Sequence, residues 1–440
     1  MKKKLILIEL NEVNFDVVQQ YVERSPDMFP AFRTIMSWEH RRTTAEEDYK
    51  HLEPWIQWVS AHTGKTFQGH GVFRLGDIAQ SDHEQIFERV EARGYSVGAI
   101  SPMNAKNNLA KPRYFIPDPW TQTPSDRSWW SRNIAKSLSQ AVNDNANARL
   151  SVSTIAVILL ALARFASFGN YKEYIRLAAR ALTRTWSKAL FLDLFLSDLH
   201  LSLYKKTKPD FSTIFLNAGA HIQHHYFHNA KISVHPKVEN PTWYCKSEYD
   251  PIEDMIIVYD IIISKILDIK DSQIIIATGL TQKPYNYVKF YYRLNNHRAF
   301  LSMLGQSFTD VIPLMTRDFV IKMDQDPASI EAMSKALSAM KTEDGVPLFG
   351  DIEERSGSIF ASLTYPYEIT ENTFVLINGQ KVSLFDKVAF VAIKNGMHDG
   401  RGFSFFSDGL AANAPAEACH IASLYDVIDN YFDIPAKSKA

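Results

Sequence analysis

Apolar and polar positions alternate along the chain in two periods. Residues 5–10 are a continuous apolar run broken only by Glu9, the pattern of a strand buried on both faces, and the amphipathic stretch 15–22 follows as a helix would. Residues 54–61 lead into a Thr63-Gly64 turn. Residues 82–91 have helical spacing, Arg93-Gly94-Tyr95 supplies a glycine stop, and 96–100 form a short apolar strand. This β-α-β rhythm predicts a mostly parallel sheet covered on both faces. It breaks between Trp129 and Tyr204, where apolar positions recur every three or four residues and predict several consecutive helices. It resumes with strands at 213–216 and 273–277 around a helix at 252–267. A less regular stretch from Tyr287 to Asp386 carries a helix at 329–340, and strands at 388–393 and 403–406 precede a closing helix at 421–432. The expected organisation is an α/β core (1–125), a helical insertion (126–207), more core (208–286), a cap-like insertion (287–386) and a C-terminal core segment (387–440).

Composition narrows the function classes. In 440 residues, 46% are hydrophobic and 22% charged, enough for a substantial core and unlike a disordered chain. The net charge is -1 and no basic block interleaves with aromatics, so nucleic acid is not an expected partner. Two cysteines, Cys245 and Cys419, are too few for a disulfide framework and fit a cytoplasmic location. The chain begins Lys2-Lys3-Lys4, but the apolar run after it stops at Glu9, which makes it a strand and not a signal peptide. A second apolar run, 155–162, ends against Arg164 and is too short to span a bilayer. It reads as a buried or interface-lying helix, with peripheral membrane contact the one membrane role its length allows.

Several blocks, in order, resemble the alkaline-phosphatase superfamily, which includes type I phosphodiesterases, nucleotide pyrophosphatases and sulfatases. Thr63-Gly64, five residues and His70-Gly71-Val72 match its "TG, five residues, HGV" signature. The run into Asn11-Glu12 is similar to its first strand and "DG" turn. Gly219-Ala220 to His224 resembles its "D, three residues, H" motif, Thr278-Gly279-Leu280 stands where it has "SDHG", and Gly396-Met397-His398 resembles its C-terminal histidine block. The resemblance implies a three-layer α/β sandwich with a central mostly parallel sheet and an α-helical insertion, and phosphoryl or sulfuryl transfer on two metals.

The ligands for that chemistry are largely replaced. At the second metal site the family's aspartates and histidine become Asn11, Gly279 and Leu280, with Glu53-Pro54 near the nucleophile position, so that site is expected to be empty. At the first site the aspartate becomes Ala220 while His224 and His398 survive. A single zinc there would need a third ligand, His221 or His225 from the helical spacing of His221, His224, His225 and His228. With no carboxylate beside them, no bound metal is the expectation. Glu53, His224, His398 and Glu9 are the candidate catalytic residues, because carboxylates and imidazoles can serve as acid, base or nucleophile without a metal. Glu9, Glu12 and Glu53 form a possible carboxylate set beside His70, His224 and His398; Glu9 sits in an apolar strand and requires a partner, whereas for Glu12 the helix-cap reading is favoured. Asn11, Gln57, His70, Thr278, Gln282, Lys283 and Arg401 are the candidate substrate contacts, the last two for an anion. The expected function is transfer or hydrolysis on a phosphate-bearing substrate such as a nucleotide-sugar, polysaccharide or glycan precursor. The alternatives are a ligand- or partner-binding pseudoenzyme and a single-metal phosphodiesterase.

Overall fold

The computed structural model describes residues 4–143, 151–232, 238–314, 316–324 and 326–433. Contacts divide it into two units: Met1–Val234, Glu248–Pro284 and Gly396–Ala440 form one, and His235–Ser247 with Tyr285–Asn395 form the other.

The first unit is built on an eight-stranded sheet. Its strands β1 (Lys4–Leu10), β2 (Glu39–Thr44), β3 (Val97–Ile100), β4 (Tyr114–Ile116), β5 (Phe211–Leu216) and β6 (Ser272–Ala277) are joined by Arg401–Phe406 and Cys419–His420. From one edge the order is Cys419–His420, β2, Arg401–Phe406, β6, β1, β5, β3, β4. β1 lies at the centre, parallel to both β5 and β6, and only Arg401–Phe406 runs antiparallel to its neighbours. The apolar run that predicted β1 is thereby explained. Leu5, Ile6, Leu7 and Ile8 are all fully buried, each contributing about 1.5–3 kcal/mol relative to exposure.

Helices cover both faces. In chain order they are α1 (Phe15–Arg24), α2 (Pro30–Met36), α3 (Pro54–Thr63), α4 (Phe67–His70), α5 (Ile86–Ala92), α6 (Trp129–Asn143), α7 (Val152–Phe165), α8 (Tyr171–Arg180), α9 (Ser187–Thr207), α10 (Ala218–Tyr226) and α11 (Pro251–Leu267). Leu5 and Leu7 pack with Trp58 and Ala61 of α3, Phe87 of α5 and Val427 of the closing helix Ser423–Tyr431. Side chains alternate along a strand, so Ile6 and Ile8 face the opposite layer, where α9, α10 and α11 pack on one another. Pro54 opens α3 and Gly64 closes it at φ +69, a conformation a side chain would strain. The helices expected in the insertion are present as α6 to α9. The apolar run at 155–162 lies within α7, with much of its surface exposed, against the buried alternative read from sequence.

The second unit contains the stretch expected to be irregular. It holds an antiparallel sheet in the order Phe349–Arg355, Ser358–Leu363, Asp318–Lys322, Asp310–Pro313. The helix Pro327–Ala339 buries Met333 and Leu337 in its core with Phe319, Leu348 and Ile359.

Candidate active site

The site grows from the carboxyl ends of β5, β1 and β6. The Asn11 amide donates to the Leu216 carbonyl and the Glu12 amide to the Thr278 carbonyl, both at 3.0 Å, so the turn after β1 is clamped by its neighbours. Within that turn Glu12 has φ +59, the left-handed region. It occupies the place of the glycine in the turn the sequence resembles. A side chain there costs about 1–2 kcal/mol. The cap reading of Glu12 is therefore corrected: Asn14 caps α1, accepting from the Asp16 and Val17 amides, and Glu12 is buried.

What holds Glu12 is a pair of histidines. Its Oε2 lies 3.2 Å from Nε2 of His224 on α10 and 3.2 Å from Nε2 of His398, and the two Nε2 atoms are 3.3 Å apart. Among the described residues these three side chains are the group whose donor atoms lie close enough together to hold a metal ion. Burial by itself would raise the Glu12 carboxyl, but the two imidazoles reverse that and hold it well below the usual carboxylate range. Gln282 donates to Glu12 Oε2 at 2.6 Å and to the Ala220 carbonyl at 3.0 Å. Nδ1 of His224 lies 3.1 Å from the Gly396 carbonyl, which can only accept, so Nδ1 carries the hydrogen and Nε2 faces the cluster. Nδ1 of His398 lies 3.7 Å from Glu53 Oε2, within ion-pair range.

α10 is held in place by a residue without a local sequence signal. Asp193 of α9 accepts from the Ala218 amide at 2.7 Å and from the Tyr259 hydroxyl at 2.8 Å, and that hydroxyl in turn accepts from the Gly219 amide. Burial raises the Asp193 carboxyl to about 6. Only the packing of α9 against α10 brings Asp193 there.

The remaining candidates divide by contact. Asn11 is held on three sides: its Oδ1 accepts from the Trp58 indole at 2.8 Å, and its amide donates to Asn217 Oδ1 at 2.8 Å and to Glu12 Oε1 at 3.2 Å. Glu9 is buried against α3, 3.2 Å from His62 Nε2 and accepting from the Thr213 hydroxyl, so its partner lies outside the Glu12 cluster. Gln57 donates to the His51 carbonyl. Nδ1 of His70 accepts from the Val72 amide and its Nε2 lies 3.1 Å from the Ser60 hydroxyl; burial lowers its pKa to about 4. Thr278 accepts from the Phe403 amide and joins β6 to its antiparallel neighbour. These contacts give Glu9, Gln57, His70 and Thr278 structural work. Arg401 grips Asp399 through Nε and a terminal nitrogen, both at 3.0 Å, and Lys283 stands 3.8 Å from the same carboxylate. His221 and His225, read as the third ligand, pair ring to ring with centroids 4.9 Å apart and lie outside the cluster that Glu12 completes.

The donors suit one ion better than two. Asn11 has committed its oxygen to Trp58, and Gly279 and Leu280 bring no side-chain donor, so the second site of a two-metal centre does not fit.

No family model and no curated protein matches the chain. Among solved structures it is similar to phosphonoacetate hydrolase from Sinorhizobium meliloti 1021 in complex with phosphonoformate, at 12% identity over 99% of this chain and 96% of that one, with a TM-score of 0.43. It is similar to murine ectonucleotide pyrophosphatase/phosphodiesterase 5, at 10% identity over 98% and 95% of the two chains and a TM-score of 0.42. It is also similar to alkaline phosphatase from the Antarctic bacterium TAB5, at 8% identity over 98% and 99% and a TM-score of 0.40. The class, an α/β fold around a large, mostly parallel sheet, stands on the strand order itself.

Proposed function

We propose that this protein is a hydrolase of phosphate-bearing substrates that works with one divalent cation held by Glu12, His224 and His398. The observation that carries the reading is the triangle of donor atoms, with edges of 3.2, 3.2 and 3.3 Å. A tetrahedral ion with ligand bonds of about 2.0–2.1 Å has ligand-to-ligand edges of about 3.3–3.4 Å, and two histidines with one glutamate are a known donor set for a catalytic zinc that keeps a fourth position open. A cation so placed would acidify water and draw charge from a phosphoryl oxygen.

The chain's own residues prepare that chemistry. Gln282 fixes the Glu12 carboxylate, the Gly396 carbonyl sets the ring of His224, and Glu53 flanks the second nitrogen of His398. Partners of this kind orient ligands and raise their basicity. The Glu53 side chain is 32% exposed at the amino end of α3, where a carboxylate can both steady His398 and accept a proton from water. For substrate we propose a phosphate-bearing small molecule, with nucleotide-sugars and glycan precursors as the first class to assay. Lys283 and Arg401, gathered on Asp399 next to His398, are the anion contacts in this reading. A cytoplasmic location goes with two cysteines outside any disulfide.

The test is metal analysis of the purified chain joined to turnover of a generic phosphodiester, bis(p-nitrophenyl) phosphate, with and without chelator. One equivalent of zinc or manganese, with turnover abolished by chelator and by Glu12→Gln, is the expected result. Two equivalents, or turnover indifferent to chelator, would overturn the reading. Metal bound without turnover on phosphodiesters, phosphomonoesters or nucleotide-sugars would reduce the protein to a binder.

A further inference from the structure

The helical insertion leaves unburied what its sequence should hide. Along α7 and onward through α8, Leu159 is 61% exposed, Phe168 91%, Ile175 69% and Leu182 87%. Ile155 and Leu159 stand four residues apart on one face of α7, Phe168 lies in the turn between α7 and α8, Ile175 lies within α8 and Leu182 follows its end. Exposed aliphatic and aromatic side chains on two consecutive helices are not the scattered surface apolars of an ordinary domain.

Charge tells what this face meets. Residues 127–188 hold ten Lys and Arg against two Asp and Glu, a local charge of +8 in a chain whose total is -1. Some of that charge is internal, since Arg180 and Arg184 converge on Asp254. Arg176 pairs with Glu173, while Arg127, Arg132, Lys136, Arg164, Lys172 and Lys188 are all exposed. A second copy of this face would bring like charges together, and an anionic surface would not.

Geometry then separates lying on a bilayer from crossing one. Among the described residues no single helix is long and apolar enough to cross, and the pair formed by Val152–Phe165 and Phe168–Arg180, long and apolar enough only when taken together, is bent by 117°. The 14 residues of α7 reach about 21 Å, short of the roughly 30 Å hydrocarbon core. Bent helices with apolar faces and flanking cations bind in the interfacial plane. We propose that α7 and α8 dock the protein on the surface of an anionic phospholipid bilayer, with Leu159, Phe168 and Ile175 entering the acyl boundary and Arg164 and Lys172 meeting the headgroups. This inference does not depend on the hydrolase reading.

Co-sedimentation of the full chain with vesicles tests it. Binding to vesicles of phosphatidylcholine mixed with phosphatidylglycerol, weakened by salt and absent with phosphatidylcholine alone, is expected. The double variant L159D/F168D should lower the vesicle partition coefficient by at least about tenfold, and each of Arg164→Ala and Lys172→Ala by about fivefold. All these positions are exposed and outside the Glu12 cluster, so circular dichroism and any chelator-sensitive turnover should be unchanged. Failure of the wild-type chain to sediment with anionic vesicles would overturn the proposal. Equal sedimentation of L159D/F168D would do so as well, and so would a dimer in analytical ultracentrifugation that this variant dissociates.

Discussion

Nε2 of His224 and Nε2 of His398 lie 3.3 Å apart although 174 residues separate them in the chain, and both lie 3.2 Å from one oxygen of Glu12. With Nδ1 of His224 turned to the Gly396 carbonyl, its Nε2 presents a lone pair to the cluster. Either a hydrogen on Nε2 of His398 or a metal ion then bridges these atoms.

Glu53 tests the metal reading. If its carboxylate sets the His398 ring for a metal, Glu53→Gln should lower zinc affinity by about 10–100-fold while leaving the thermal midpoint nearly unchanged, because the side chain is partly exposed. Calorimetric zinc titration beside a thermal melt makes the comparison. Unaltered zinc affinity would remove Glu53 from the site.

Backbone strain at Glu12 can be measured by a pair of variants. Glu12→Ala and Glu12→Gly both abolish the contacts with His224 and His398, yet only glycine relieves the φ of +59. The glycine variant should be the more stable by about 1 kcal/mol in urea unfolding with chelator present. Equal stabilities would mean that the turn relaxes without Glu12.

Gly396 leaves no room for a side chain. A Cβ there would meet Gln282 Oε1 at 2.1 Å and the Gln223 carbonyl oxygen at 2.7 Å, whereas one at Gly169 would meet nothing within 4 Å. Gly396→Ala should cost about 1–3 kcal/mol and weaken metal binding by moving Gln282 off Glu12. Gly169→Ala, the control, should do neither.

Acid should destabilise the fold through His200. Burial pulls its pKa from 6.5 to about 3, so the folded chain keeps this ring neutral while the unfolded chain protonates it below pH 6.5. A depressed folded pKa contributes stability that is full above 6.5 and is lost as pH falls toward 3. Calorimetric melting midpoints should therefore drop between pH 7 and 4, and less steeply in His200→Gln. An identical slope in that variant would assign the acid sensitivity to other groups.

How much of this was legible in the chain depended on whether the signal was local. β1, β5 and β6 announced themselves by apolar runs that a two-faced sheet buries. β2 did not: Glu39–Thr44 is polar and buries only Thr43, because it lies toward the sheet's edge. Glu9 was recognisable as a buried acid in need of a partner, but not that its partner is His62 on α3, away from the Glu12 cluster.

The sequence by itself determined the layered α/β class, a matter of periodicity, and named His224 and His398 as candidates by residue type. Tertiary structure alone decided that Glu12 lies against His224 and His398. Its direction depends on a left-handed turn clamped between β5 and β6, and its distance from two histidines far along the chain depends on the order in which the strands pair. Neither quantity is a property of neighbouring residues, and so neither could be read before the sheet was assembled.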